Sequence, residues 1–196
     1  MKTLSTVLLS LLLILFLVLA LPISGEEGVY DSIVRLHVRP ASDSAEDQNL
    51  KIAVRDELLR RYGEALAELE SKQAAEAYLS ENRTEIEAFV NAFLKEKGKA
   101  PAARVTLEKE FFETREYGEI TLPAGYYTSL TVTLGEGEGQ NWWCVLYPAL
   151  CTEAAMGERV SVAKEQLSEP EYRLVTESGY LIKFRTLEVL ESIFGE

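Results

Sequence analysis

Apolar residues change their period twice along this chain, and that change limits the folds open to it. From Ser32 to Val38, Val34, Leu36 and Val38 alternate with Ile33, Arg35 and His37, which predicts a strand ended by Pro40. From Ala45 to about Glu68 the period becomes four: Leu50, Val54, Leu58, Tyr62 and Leu66 share one helix face. Ser42-Asp43-Ser44 stands between the two, a run suited to capping the helix. A short helix over Lys72–Leu79 is predicted next. A second start at Asn82 or Thr84 follows, with Ile86, Phe89, Val90, Phe93 and Leu94 on one stripe and Lys95, Lys97 and Gly98 at its end. After Pro101 the alternation returns, in Arg104–Glu108, Glu119–Leu122, Ser129–Leu134 and Asn141–Pro148. Residues 152–170 read as irregular, and a last helix is predicted from Lys183 to Phe194. Helices are clustered, not alternated one-to-one with strands. This predicts an α+β fold with helices packed on a mostly antiparallel sheet, preceded by an N-terminal export helix.

Residues 1–25 carry one charge, Lys2, ahead of an apolar run from Leu4 to Leu21 that Pro22 and Ser24-Gly25 close. The order is that of an export signal, and the run is also just long enough to cross a bilayer. Residues 1–25 are therefore read as a signal peptide or a membrane anchor, and 26–196 as a single exported domain. Membrane contact is expected only through residues 1–25.

The chain carries 20 Lys+Arg against 32 Asp+Glu, a net charge of −12, in an otherwise ordinary globular composition with 47% hydrophobic residues. That balance argues against nucleic acid, whose phosphates need lysine and arginine. A single histidine, His37, excludes a site needing two imidazoles, and two cysteines exclude a four-thiolate zinc site. No metal or cofactor is expected. Asp43, Glu46 and Asp47 lack calcium-loop spacing and suit helix capping, while Arg55 and Asp56 are placed to pair with the Asp43–Asp47 region. The loop Gly135–Gly139 carries Glu136 and Glu138 and no Lys-Ser/Thr, so it is no phosphate loop.

The segment Asn141-Trp142-Trp143-Cys144-Val145-Leu146-Tyr147-Pro148, closed by Cys151, is the least ordinary in the chain. Adjacent tryptophans on a strand point to opposite faces, so at most one enters a given core. A tight turn at Tyr147-Pro148 sets residue 144 opposite residue 151, within disulfide reach; two reduced buried thiols are the alternative. Cys144 with His37 as base, helped by Gln140 or Asn141, would make a thiol hydrolase. An exported cysteine with a partner seven residues away is more simply oxidised, and a strand histidine is more simply half-buried.

Two stretches resemble a known family. RLHVRPASDSAEDQNLKIAVRDELL (Arg35–Leu59) and NWWCVLYPALC (Asn141–Cys151) are similar to the two signatures of the stage II sporulation protein R family. Pro40-Ala41 departs from the Ala-Asn that precedes Ser-Asp-Ser in that pattern. The resemblance implies a non-enzymatic protein made in the forespore and exported into the space between the forespore and mother-cell membranes. Its partner there would be a membrane-embedded aspartic protease, which it activates to process the precursor of the first mother-cell sigma factor. Within that reading Asn141, Trp142, Trp143, Tyr147 and Pro148 are the expected partner-binding residues, braced by Cys144 and Cys151. Ser42, Asp43, Ser44, Asp47, Arg55 and Asp56 form the structural motif. A glycan-binding wall module is the remaining alternative.

Overall fold

The structure is a computed structural model and describes residues 6–14, 26–100, 102–151 and 159–177. Residues 6–14 are helical and exposed; the rest of the 1–25 segment lies outside the described residues, as does the predicted helix at 183–194. Among the described residues no helix is long and apolar enough to cross a membrane.

The fold is α+β. In chain order it runs α1 (Glu26–Ser32), β1 (Val34–Arg39), α2 (Ala45–Ala67), α3 (Lys72–Glu96), β2 (Ala103–Phe112), β3 (Arg115–Tyr117), β4 (Ile120–Leu122), β5 (Gly125–Leu134), β6 (Trp142–Tyr147), α4 (Arg159–Gln166) and α5 (Glu169–Thr176). Four strands form one sheet in the order β2-β5-β1-β6, and β3-β4 form a hairpin of their own. β2 with β5 and β1 with β6 are antiparallel; β1 with β5 is parallel. That single parallel pair needs a long crossover, which α2, α3 and the intervening strands supply.

β1 is central, so both of its faces are covered, and Val34 through Val38 are all buried. Its even-numbered residues Val34, Leu36 and Val38 meet α2 and α3 through Val54, Leu58, Leu66, Leu79, Ile86 and Val90. The opposite face packs Ile33, Val145, Phe112 and Tyr127 against Ile120, Leu122, Leu174 and Val175. Long helices cover one face; the hairpin and the short helices cover the other.

The region predicted as two helices is one. α3 begins at Ser71, whose side chain accepts from the Ala74 amide at 3.2 Å, and runs unbroken to Glu96. Asn82 does not restart the chain: its side-chain amide donates to the Tyr78 carbonyl one turn back (2.8 Å). With no Gly or Pro inside, nothing ends the helix, and Ala75, Leu79, Ile86, Val90 and Leu94 keep one buried stripe. The expectation of an irregular 152–170 is also corrected. α4 lies inside it and α5 begins inside it; α4 gives little periodic signal, whereas α5 has a one-sided apolar face through Leu174 and Val175 and a Ser168–Glu171 capping box, over only eight residues. α5 is capped by its Glu171 carboxylate, which accepts from the Ser168 amide (2.7 Å) and from the Ser32 hydroxyl (2.7 Å).

Candidate functional site

The two signature stretches, far apart in sequence, form one unit. Ser44 caps α2 by accepting from the Asp47 amide (3.1 Å), and Ser42 donates to the Asp47 carboxylate (2.6 Å). Asp43 is left to face outward from the helix start, where it accepts from the Gln140 amide (2.5 Å). Nearly two turns into α2, Lys51 donates to the Gln140 carbonyl (2.7 Å). Asp43 and Lys51 thus grip both polar ends of residue 140, immediately before Asn141-Trp142-Trp143. Gly139 allows the approach, because a Cβ there would collide with the Ser42 carbonyl. Burial pushes the Lys51 ammonium below its ordinary pKa, the Asp43 charge opposes this, and Arg55 adds to the lowering. Lys51 carried no recognised role in the sequence and Gln140 only one in the hydrolase alternative; their place inside or beside the signatures was the one hint of this contact.

The expected pairing of Arg55 and Asp56 with the Asp43–Asp47 region does not occur. Arg55 donates to its neighbour Asp56 (2.8 and 2.5 Å), and its guanidinium carbon lies 4.4 Å from the centre of the Trp142 ring. The helix has turned residue 55 past the cap and onto the edge strand. Lys99 takes the cap-side carboxylates instead, at 2.8 Å from Glu46 and 4.0 Å from Asp47.

Trp142 and Trp143 point to opposite faces, as expected of a strand, and each packs half-buried on a different core. Trp143 pairs with His37 across the β1–β6 ladder. The two rings stack at 5.4 Å and 25°, and the Arg115 guanidinium lies 4.2 Å from the Trp143 ring centre. His37 Nδ1 is 2.9 Å from both carboxylate oxygens of Glu110, and Thr131 donates to the same carboxylate (3.1 Å). Burial pushes the Glu110 carboxyl up, but the hydrogen bond and charge of His37, the Thr131 hydroxyl and the charge of Arg39 outweigh it. The net position is below the ordinary glutamate value. A depressed folded-state pKa gives stability that is present above the unfolded value, about 4.3, and is lost as pH falls through the folded one. Glu110→Gln should therefore flatten the acid limb of a plot of urea midpoint against pH. An unchanged acid limb would show that this carboxylate carries none of it.

Tyr147 and Pro148 correct the expected binding patch. Both are buried, and burial pushes the Tyr147 phenol above its ordinary pKa, so neither presents a surface in this fold. Their place is the turn that brings Cys151 back to Cys144. The two cysteines are joined, with Cα atoms 6.1 Å apart. Cys144 faces the helix-side core, while His37 pairs with Glu110 on the opposite side of the sheet. The hydrolase pair therefore has neither a free thiol nor a shared face. Among the described residues no cluster of three potential metal ligands exists.

What remains accessible is a groove of about 1310 Å³ along the β6 edge of the sheet. Asn141, Trp142, Trp143 and the disulfide lie along its floor; α2 from Arg55 to Ala67 makes one wall and the β3–β4 hairpin, Arg115 to Gly118, the other. Gly118, at φ +67°, makes the tight turn that keeps this hairpin short.

The family model for stage II sporulation protein R matches residues 30–156, a span that holds both signatures and every residue of the groove. The chain belongs to the stage II sporulation protein R family. The Bacillus subtilis (strain 168) stage II sporulation protein R is 29% identical over 185 residues, covering 84% of this chain and 83% of that protein. No solved structure matches. Membership in this family gives the chain a role in sporulation.

Proposed function

We propose that this sporulation protein is an exported signal, not an enzyme. It acts from the space between forespore and mother cell, activating a membrane-embedded aspartic protease that processes the precursor of the first mother-cell sigma factor. The observation that carries this reading is the braced aromatic edge. Trp142 and Trp143 are held half-exposed by Arg55, Arg115, His37 and a disulfide, beside a groove larger than a small-molecule pocket of roughly 300–1,000 Å³. Tryptophan and arginine dominate protein–protein hot spots. Arg55, Arg115 and His37 already lie against these rings, which leaves less open indole face for stacking on a sugar and disfavours the wall-module reading.

The test is co-expression of the full chain with the protease and its sigma-factor precursor. Precursor cleavage should require the parent protein. Trp142→Ala or Trp143→Ala should weaken binding by at least about 2 kcal/mol, roughly thirtyfold, where that residue is the anchor. Both variants must retain the disulfide and the parent circular dichroism. Unchanged binding and cleavage in both would sink the proposal.

A further inference from the structure

β6 is an edge strand, paired on one side only, with β1. Exposed edges are templates for another strand, and folded proteins cover them. Here the cover is partial. At Val145 the outward amide donates to Cys151 Sγ (3.0 Å), so the disulfide-closed return caps the C-terminal half. In an antiparallel ladder, alternate residues turn both backbone groups to the same side. Trp143, two residues earlier, therefore presents its N–H and C=O to the groove, and among the described residues no strand pairs with them. Asn141 Oδ1 and Trp142 Nε1, at the same end of the strand, also have no hydrogen-bond partner among the described residues.

The walls suit an extended chain. α2 turns toward the groove a stripe at four-residue spacing, Arg55, Leu59, Gly63 and Ala67, whose last two members are small. Groove charges comprise three arginines and four carboxylates. Arg55 is paired with Asp56, Arg60 with Glu57, and Arg115 with Glu113. Among the described residues Glu64 and Glu116, one on each wall, keep no ionic partner, so the described groove carries uncompensated negative charge. A second copy of a chain with net charge −12 would bring like charge to it.

We propose that the open Trp143 edge of β6 accepts an extended segment of the partner by strand addition, and that this segment carries basic residues that meet Glu64 and Glu116. The proposal rests on the protein-partner reading above and names the chemistry the partner must supply. Main-chain hydrogen bonds give such docking its affinity and flanking side chains give its specificity.

Peptides tiling the extracytoplasmic segments of the protease would be titrated into the full chain. Its two tryptophans both lie in the groove and report occupancy by fluorescence. An extended basic peptide should shift their emission, slow hydrogen exchange at the Trp143 amide, and bind more weakly as salt rises. Glu64→Lys with Glu116→Lys should weaken it about tenfold or more, and Ala67→Phe should obstruct it. All three positions are outside the cores, and the variants would be checked by circular dichroism. A bound peptide that leaves Trp143 exchange unchanged overturns strand addition. Indifference to the double charge reversal overturns the basic partner. Self-association abolished by the same variants would make the occupant a second copy and overturn the proposal. Protease activation by the parent that both groove variants retain in full would overturn the groove and leave the signalling reading intact. A parent that neither binds nor activates the protease removes that reading, and this proposal with it.

Discussion

Arg35→Ala is expected to lower the stability of the fold by about 3–5 kcal/mol. Arg35 lies on the central strand with no exposed surface. Its guanidinium carbon is 4.3 Å from the ring centre of Phe112, 4.9 Å from Tyr127 and 5.6 Å from Tyr117. Among the described residues no carboxylate pairs with it; the rings and two hydrogen bonds hold the charge, Nε to the Cys144 carbonyl (3.2 Å) and Nη2 to the Tyr117 hydroxyl (2.7 Å). Alanine would leave a cavity among three aromatic rings and orphan both acceptors. It would also cut the tie between the hairpin wall of the groove and its β6 floor. Arg35→Met is the informative companion. It fills most of the volume and removes a desolvated charge, so it should recover much of the loss in stability without restoring the tie. Urea unfolding of both variants decides this, read as midpoints at constant slope. An alanine variant with the parent midpoint would contradict the packing account.

Cys144→Ser with Cys151→Ser is expected to cost about 2.5 kcal/mol, the chain-entropy value for releasing an eight-residue loop. On the proposed signalling function, the loss of partner activation should exceed what that destabilisation explains. The return through Pro148 covers the β6 edge only where Cys151 meets Val145, so freeing it uncovers the rest of the strand and loosens the support beneath Trp143. Cleavage of the sigma-factor precursor would be compared with the folded fraction of the variant at the same temperature. Activation that tracks folded fraction would reduce the disulfide to a staple with no part in presenting the edge.

How far the sequence reaches differs from element to element. β1 and α2 were legible because their signals are local: alternation in Ser32–Val38, four-residue spacing from Leu50 to Leu66, and a Ser-Asp-Ser cap between them. That Cys144 and Cys151 lie within disulfide reach was legible as well, from the tight turn at Tyr147-Pro148, while the choice between a bond and two thiols came from the structure. α3 was divided wrongly because polar Asn82 and Thr84 look like starts, while the face that decides continuity is the buried one. α4 gives little periodic signal in the sequence, whereas α5 offers a Ser168–Glu171 capping box and an apolar face through Leu174 and Val175, a signal that only eight residues carry.

The site divides in the same way. The sequence by itself determined the aromatic strand, two cysteines within reach of each other, the capped helix and, through its two signatures, the family; the structure joined the cysteines. Only the tertiary structure decided that the signatures touch, with Asp43 and Lys51 gripping residue 140, and that Arg55 stacks on Trp142 instead of pairing with the cap. It also buried Tyr147 and Pro148, which sequence placed on the binding surface, and left β6 at the sheet edge with one side open. Strand order, and with it which backbone groups stay unpaired, is set by pairings distant in sequence, those of β1 with β5 and β6 above all. Periodicity along the chain reports only which face of an element is buried, not what lies against it or which edge is left over.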